Sequence, residues 1–212
     1  MPQLLFDIHS SETNLIQDYL TKHKLGNNKY RVKVGEGQSN TLGIVSKRSL
    51  APDLSRISWA HPYLFFLLMQ FAEKHVSPHI TFTSIQVNFN YPCKPHKDIG
   101  NEGDSFIIAF GDYTGGELCI ENTDYDIKNR GLLFDGSKLT HWTRDWVGNR
   151  FSLVYHTIKP RFPFFRELSD YDPVEHEGRW KIAYMSEEGD IKYLFGKHGL
   201  PHPLLGRKII KE

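Results

Sequence analysis

The sequence predicts a mainly β protein with flanking helices, an α+β fold whose β part closes as a sandwich or barrel. Three observations predict it: two helix-period apolar stripes in the first third, short period-two runs from residue 80 to 158, and glycine-containing turns between those runs. With 212 residues the chain can bury one sizeable core, and no linker divides it, so a single domain is expected over 1–212. Within it, 1–80 reads as helical and strand support, 81–160 as the β core and 161–212 as a C-terminal extension.

The elements follow in chain order. Ser10 and Ser11 precede Glu12, and Leu15, Ile16, Tyr19 and Leu20 recur at helical spacing until Gly26, the pattern of an N-capped amphipathic helix with a glycine stop. Tyr30 to Val34 alternates like a strand; Gly35 to Gly43 reads as a loop, followed by a strand around Ile44 and Val45. A second helix begins near Pro62, where proline suits the first turn, and Leu64, Leu67, Leu68, Phe71 and Ala72 give it a broad apolar face that ends near Val76. From Ile80 the period becomes two, with Phe82, Ser84, Gln86, Asn88 and Asn90 opposite Thr81, Thr83, Ile85, Val87 and Phe89. Further strands are expected at Ser105 to Phe110, Glu117 to Glu121, Gly131 to Phe134 and Phe151 to Thr157, then a hairpin at Trp180 to Met185 and Ile191 to Phe195. Between these, the sequence after Pro160 reads either as a lid facing a substrate or as a brace.

Composition excludes several functions. The 26 Lys and Arg against 25 Asp and Glu leave a net charge of +1, so there is no global electrostatic case for nucleic acid or a membrane surface. Basic residues gather locally at Lys94, Lys97, Lys128, Arg130, Lys138 and Arg144, and again at Arg207, Lys208 and Lys211. Cys93 and Cys119 are too few for a disulfide framework, which points to an intracellular, reducing compartment such as cytoplasm or nucleus. No signal peptide or stretch of roughly 20 apolar residues is present, so no membrane association is expected.

His96 and Asp98 stand two apart on an extended segment, so their side chains reach one side, and a third ligand must come from a distant strand. His141 follows the Asp135-Gly136 turn and suits that task. Two imidazoles and one carboxylate occupy one face of an Fe(II) octahedron and leave the other face open. Arg150 supplies a planar guanidinium able to grip a carboxylate bidentately, and Ser152, in phase with it, adds a hydroxyl. The bland alternatives are a solvent-facing loop at His96 and a surface cation at Arg150 paired with Asp145. His156 shares the phase of Ser152 and is the rival third ligand or a supporting group in the cavity. Asn88, Asn90 and Tyr91 precede the loop as candidates for cosubstrate or substrate. Asn101 either braces the loop or reaches the substrate, while Gly115 and Gly116 read as turn residues. His61, His75 and His79 flank a helix and read as caps or surface residues.

Through His96-x-Asp98, His141 and Arg150-x-Ser152, the stretch from Ser84 to Ile158 resembles the Fe(II)- and 2-oxoglutarate-dependent dioxygenases. The resemblance implies a double-stranded β-helix (jelly-roll) core with the N-terminal helices packed on one sheet. It also implies Fe(II), 2-oxoglutarate and O2, with Arg150, Ser152, Asn88 and Tyr91 around the cosubstrate. The runs PHKDIGNEGDSFIIAFGDYTGGEL and GLLFDGSKLTHWTRDWVGNRFSLVYH look like the TET/JBP group, which oxidises pyrimidine methyl groups in nucleic acid. DNA or RNA is then the implied partner, with Trp142, Trp146, Tyr113 and Phe89 as stacking candidates, and no obligate protein partner is implied. The same chemistry on a protein side chain or metabolite is the alternative; a non-catalytic jelly-roll binding module is a third reading, which the intact triad opposes.

Overall fold

The computed structural model describes residues 2–25, 37–47, 50–164 and 166–194. Strand β1 (Gln3–Asp7) leads to helix α1 (Ser11–Lys22), the β2 (Gln38–Lys47) and β3 (Leu50–Leu54) hairpin, short helix α2 (Arg56–Ala60) and α3 (Pro62–His75). The β core runs through β4 (Ser84–Phe89), β5 (Asn101–Phe110), β6 (Tyr113–Gly115), β7 (Leu118–Ile120), β8 (Thr123–Tyr125), β9 (Arg130–Phe134), β10 (His141–Thr143), β11 (Trp146–Gly148) and β12 (Phe151–Ile158). Three strands close the described chain: β13 (Asp172–His176), β14 (Arg179–Met185) and β15 (Ile191–Leu194).

Seven strands form one antiparallel sheet in the order β1-β9-β5-β12-β4-β2-β3. Facing it are β10-β7-β8 and the pair β11-β6. Period two decides what each face of the large sheet buries. Ile85, Val87, Phe106, Ile108, Leu153 and Tyr155 point to the helix side and join the main core with Leu64, Leu68 and Phe71 of α3. Tyr155 is fully buried there, its hydroxyl donating to the Leu68 carbonyl at 2.9 Å. The alternate residues, including Ile107, Ala109, Leu132 and Phe134, face the small sheets, where they pack with Tyr113, Leu118 and Ile120. The polar members of that face, Gln86, Asn88 and Ser152, line a cavity between the sheets.

The double-stranded β-helix and the packing of helices on one sheet are both present. Details differ from the sequence reading. Leu15 is 60% exposed and lies off the buried stripe of α1, Ser10 makes no side-chain cap, and the helix ends at Lys22, before Gly26. The expected loop to Gly43 is already strand from Gln38, because hydrogen bonding to β4 extends over Gln38–Gly43. The strand expected from Ile80 starts at Ser84. Strands β1, β3, β6, β8, β11 and β13 and helix α2 were not legible; most have three to five residues, too few to show a period. The strand expected at Tyr30–Val34, the end of the last strand at Phe195, and Arg207, Lys208 and Lys211 lie outside the described residues.

The C-terminal hairpin is a brace over its described length. Leu168, Tyr171, Ile182, Tyr184 and Leu194 belong to the main core, and Trp180 packs against Phe66 and Tyr63 of α3 with ring centroids 4.5 and 5.0 Å apart. His61 is the N-cap residue of α3, as expected, and is buried with the Tyr19 hydroxyl 2.9 Å from its Nδ1, whereas His75 lies in the last turn of α3, buried against Phe71 and not on the surface. His79 is exposed, as expected.

Candidate metal and cosubstrate site

Backbone pairing brings the ligands together. His96 and His141 exchange N–H to carbonyl bonds of 3.1 and 3.0 Å, which adds the His96 segment as one further bridge to the small sheet beside β10. Asp98 N–H donates to the Gly136 carbonyl at 2.8 Å, and Asn101 N–H returns to the Asp98 carbonyl at 2.9 Å. The loop between β4 and β5 is thereby pinned against the Asp135-Gly136 turn. Gly136 eases that approach, since a Cβ there would stand 3.2 Å from the Phe134 ring and 3.3 Å from His141 Cε1, so a neighbouring ring would have to give by a few tenths of an ångström.

One donor atom from each of His96, Asp98 and His141 lies within 4.8 Å of the others. His96 Nε2 is 3.5 Å from Asp98 Oδ1, and His141 Nε2 is 3.6 Å from Oδ2. Adjacent ligands of an octahedral ion with ~2.1 Å bonds stand about 3 Å apart, so small side-chain movements complete the set. The imidazoles are oriented for it: His96 Nδ1 lies 2.8 Å from the Lys94 carbonyl and His141 Nδ1 3.0 Å from the Leu139 carbonyl. With Nδ1–H donating to a carbonyl, Nε2 is the ligating nitrogen of each ring.

Electrostatics follow from the shared carboxylate. Burial works against ionisation of Asp98, but hydrogen bonds from His141 and His96 outweigh it and hold the carboxyl well below its usual range. Burial disfavours a charged His96, yet its contacts with Asp98 and Cys93 push it up to about 10. A metal ion held at Nε2 would displace that proton.

Arg150 enters the same cavity from the start of β12. It is buried, 4% exposed, and its surface pairing with Asp145 does not occur. Nε donates to the Gly116 carbonyl at 3.1 Å, and the guanidinium lies 5.5 Å from the Tyr113 ring centroid and 5.7 Å from that of Trp146. Gly116 is therefore more than a turn residue: at φ +75° it presents its carbonyl, and a Cβ would come within 3.0 Å of Arg150 Cδ and Nε. Buried Nη2 has no hydrogen-bond partner among the described residues. Burial lowers the pKa of Arg150, and burial also pushes the Tyr113 phenol up to about 12, with the neighbouring cation pulling the other way.

Among the remaining candidates, Ser152, Asn88, Tyr91, Asn101 and His156 line this cavity. His141, not His156, completes the cluster of potential ligands. Asn90 does not line it. At φ +44° it leaves the strand phase, accepts from Arg150 N–H at 2.8 Å and donates to Asn149 at 3.2 Å, so it fixes backbone. Trp142 alternates away from His141 and lies under Arg144, at 5.3 Å, outside the cavity lining. Phe89 stacks on Phe151, and Tyr113 and Trp146 flank Arg150, so none of the four aromatics offers a stacking face in the cavity. Sequence reasoning missed Gln86, Cys93 and Thr143 as lining residues. Gln86 and Thr143 were signalled by phase, two residues from Asn88 and His141. Four of the six clustered basic residues are engaged: Arg130 with Asp7, Lys138 with Asp135, Arg144 with Asp124, and Lys128 with the Tyr113 carbonyl.

No family model matches the sequence, and a search of curated proteins finds no match. Among solved structures, the fold is similar to a 2OG-Fe(II) oxygenase family oxidoreductase from Burkholderia pseudomallei, with TM-score 0.54 and 15% identity over 73% of this chain and 82% of that one. It is also similar to NgTET1 in complex with 5-methylcytosine DNA, with TM-score 0.51 and 15% identity over 78% of this chain and 76% of that one. The architecture is thus that of the 2OG-Fe(II) oxygenases, a double-stranded β-helix, here carrying a two-histidine, one-carboxylate cluster between its sheets.

Proposed function

We propose that the chain is an Fe(II)- and 2-oxoglutarate-dependent dioxygenase, one domain over 1–212, that oxidises the methyl group of a pyrimidine base, 5-methylcytosine or thymine, in DNA or RNA. The observation that carries the enzyme class is a single cavity holding both the His96, Asp98 and His141 cluster and a buried guanidinium with a spare donor at Arg150 Nη2. A buried guanidinium nitrogen without an acceptor is costly, so a carboxylate ligand beside Nη2 satisfies both the charge and the hydrogen bond. His96, Asp98 and His141 would hold Fe(II), while Arg150 and Ser152, with Asn88 and Tyr91 beside them, would hold 2-oxoglutarate. Bound iron and cosubstrate supply dioxygen activation, with release of succinate and carbon dioxide and oxidation of a substrate C–H bond. The protein's part is to orient these groups and keep water out of a cavity walled by Ile107, Leu118, Phe134 and Val154.

The nucleic-acid substrate is supported by the likeness in fold to a protein solved with 5-methylcytosine DNA and by Lys94 and Lys97 beside His96. The engagement of Lys128, Arg130, Lys138 and Arg144 favours the second reading, the same oxidation of a protein side chain or metabolite. Two free thiols fit a reducing compartment, and among the described residues no helix is long and apolar enough to cross a membrane.

Succinate release from 2-oxoglutarate by the Fe(II)-loaded protein, with an Asp98→Ala variant beside it, tests the class. Release by wild type alone supports the dioxygenase, and stimulation by 5-methylcytosine DNA supports the substrate. Absence of both succinate and Fe(II) binding refutes the proposal in favour of a binding module.

A further inference from the structure

A row of polar side chains crosses the large sheet beneath the cavity. Thr41 Oγ1 donates to Gln86 Oε1 at 2.7 Å, Gln86 Nε2 to Ser39 Oγ at 2.8 Å, Ser39 Oγ to Asn88 Oδ1 at 2.7 Å, and Asn88 Nδ2 to Ser152 Oγ at 3.2 Å. The register permits it: Thr41 is opposite Gln86, and Asn88 lies between Ser39 and Ser152 on adjacent strands. Ser39, Gln86 and Ser152 are each at most 3% exposed.

Every bond in the row runs the same way. Ser39 receives the Gln86 amide N–H, so its one proton goes on to Asn88 Oδ1. That acceptance turns the Asn88 amide nitrogen toward Ser152. Ser152 Oγ thus receives a proton and keeps its own, for which no acceptor exists among the described residues. With both amides turned over, the row would run in reverse and Ser152 would spend its proton on Asn88. Donor polarity at Ser152 is therefore a property of the whole row.

We propose that Ser39 and Gln86, which lie one and two bonds behind Asn88, are positioning residues that hold Ser152 as a donor to the far carboxylate of 2-oxoglutarate, beside Arg150. This rests on the cosubstrate site proposed above. A chain of like-directed hydrogen bonds polarises its last member, and the hydroxyl needs no reorientation when the anion arrives. Neither Ser39 nor Gln86 has to touch the cosubstrate.

The test is calorimetric binding without turnover, in Mn(II), of 2-oxoglutarate and of pyruvate, a 2-oxo acid that lacks the far carboxylate. Wild-type binding of 2-oxoglutarate, lost in Arg150→Met, establishes the site itself; its absence overturns the cosubstrate assignment and this inference with it. With the site established, Ser39→Ala is expected to weaken 2-oxoglutarate about fivefold to tenfold, the size of one ordinary hydrogen bond, because the Ser152 hydroxyl remains and loses only its fixed orientation, and to leave Mn(II) and pyruvate affinities unchanged. Ser39→Thr, which keeps the hydroxyl, restores binding, and Ser39→Ala adds nothing in a Ser152→Ala background. A change below twofold in Ser39→Ala, an equal loss for pyruvate, or full additivity with Ser152→Ala would overturn the relay while leaving the site intact.

Discussion

Arg150→Met separates the two effects of a buried guanidinium. In the folded chain the group is 4% exposed, with one hydrogen bond to Gly116, two aromatic neighbours and an unpartnered Nη2. Methionine replaces the stem in volume. It forfeits the Gly116 bond, ~1 kcal/mol or somewhat more for a charged donor, and aromatic contacts of about 1 kcal/mol each. Against this, it removes the cost of keeping a desolvated cation, which is several kcal/mol even after relaxation. The terms oppose, so unfolding free energy is expected to stay within ~2 kcal/mol of wild type. Cosubstrate binding has no such cancellation. Two charge-assisted bonds at roughly 1.5–3 kcal/mol each amount to ~3–6 kcal/mol, a loss of 2-oxoglutarate affinity of at least 100-fold. Urea unfolding and calorimetry with Mn(II) measure the two quantities on one preparation. A loss of affinity below tenfold, or a collapse of stability with binding intact, would refute the assignment of Arg150 as a ligand grip.

Gly136→Ala places a methyl 3.3 Å from the His141 ring, and Mn(II) affinity is expected to fall by roughly tenfold with little change in cosubstrate affinity at saturating metal. Calorimetric titration checks it; wild-type metal affinity would show that the triad tolerates the displacement. Tyr171→Phe removes a hydroxyl that donates to buried Asp53 at 2.6 Å, so stability should drop by ~1.5–3 kcal/mol in urea unfolding with metal affinity unchanged, as a brace requires. An altered metal affinity would instead couple the hairpin to the site. His75 has its pKa lowered by burial against Phe71, so the unfolded chain binds the proton more tightly and stability falls as pH drops below 6.5 toward the lowered folded value. Unfolding followed from pH 8 to 5 should lose part of that slope in His75→Phe; an unchanged slope assigns it elsewhere.

Alternation and turn chemistry made the β core legible. The phase of β4 and β12 told which residues share a face, and Asn88, Ser152 and His156 line one cavity, while the stripe of α3 marked the helix that covers the other face. The triad was legible because H-x-D geometry is local and chain order leaves few partners for it. Phase failed where the backbone left the strand, as at Asn90 with φ +44°; at Trp142 the phase itself, opposite to that of His141 and Thr143, puts the ring outside the cavity. Gly116 and Gly136 were legible only as turn residues and Ser39 not at all, since what matters is what approaches them: a guanidinium, an imidazole and a row of amides from strands far away in sequence. The sequence alone determined periodicity, ligand types and their order, because these are properties of neighbours along the chain. Only tertiary structure decided which third histidine faces Asp98, that Arg150 is buried without a full set of partners, and that the C-terminal hairpin is a brace, because each depends on contacts between segments whose separation the chain does not encode locally.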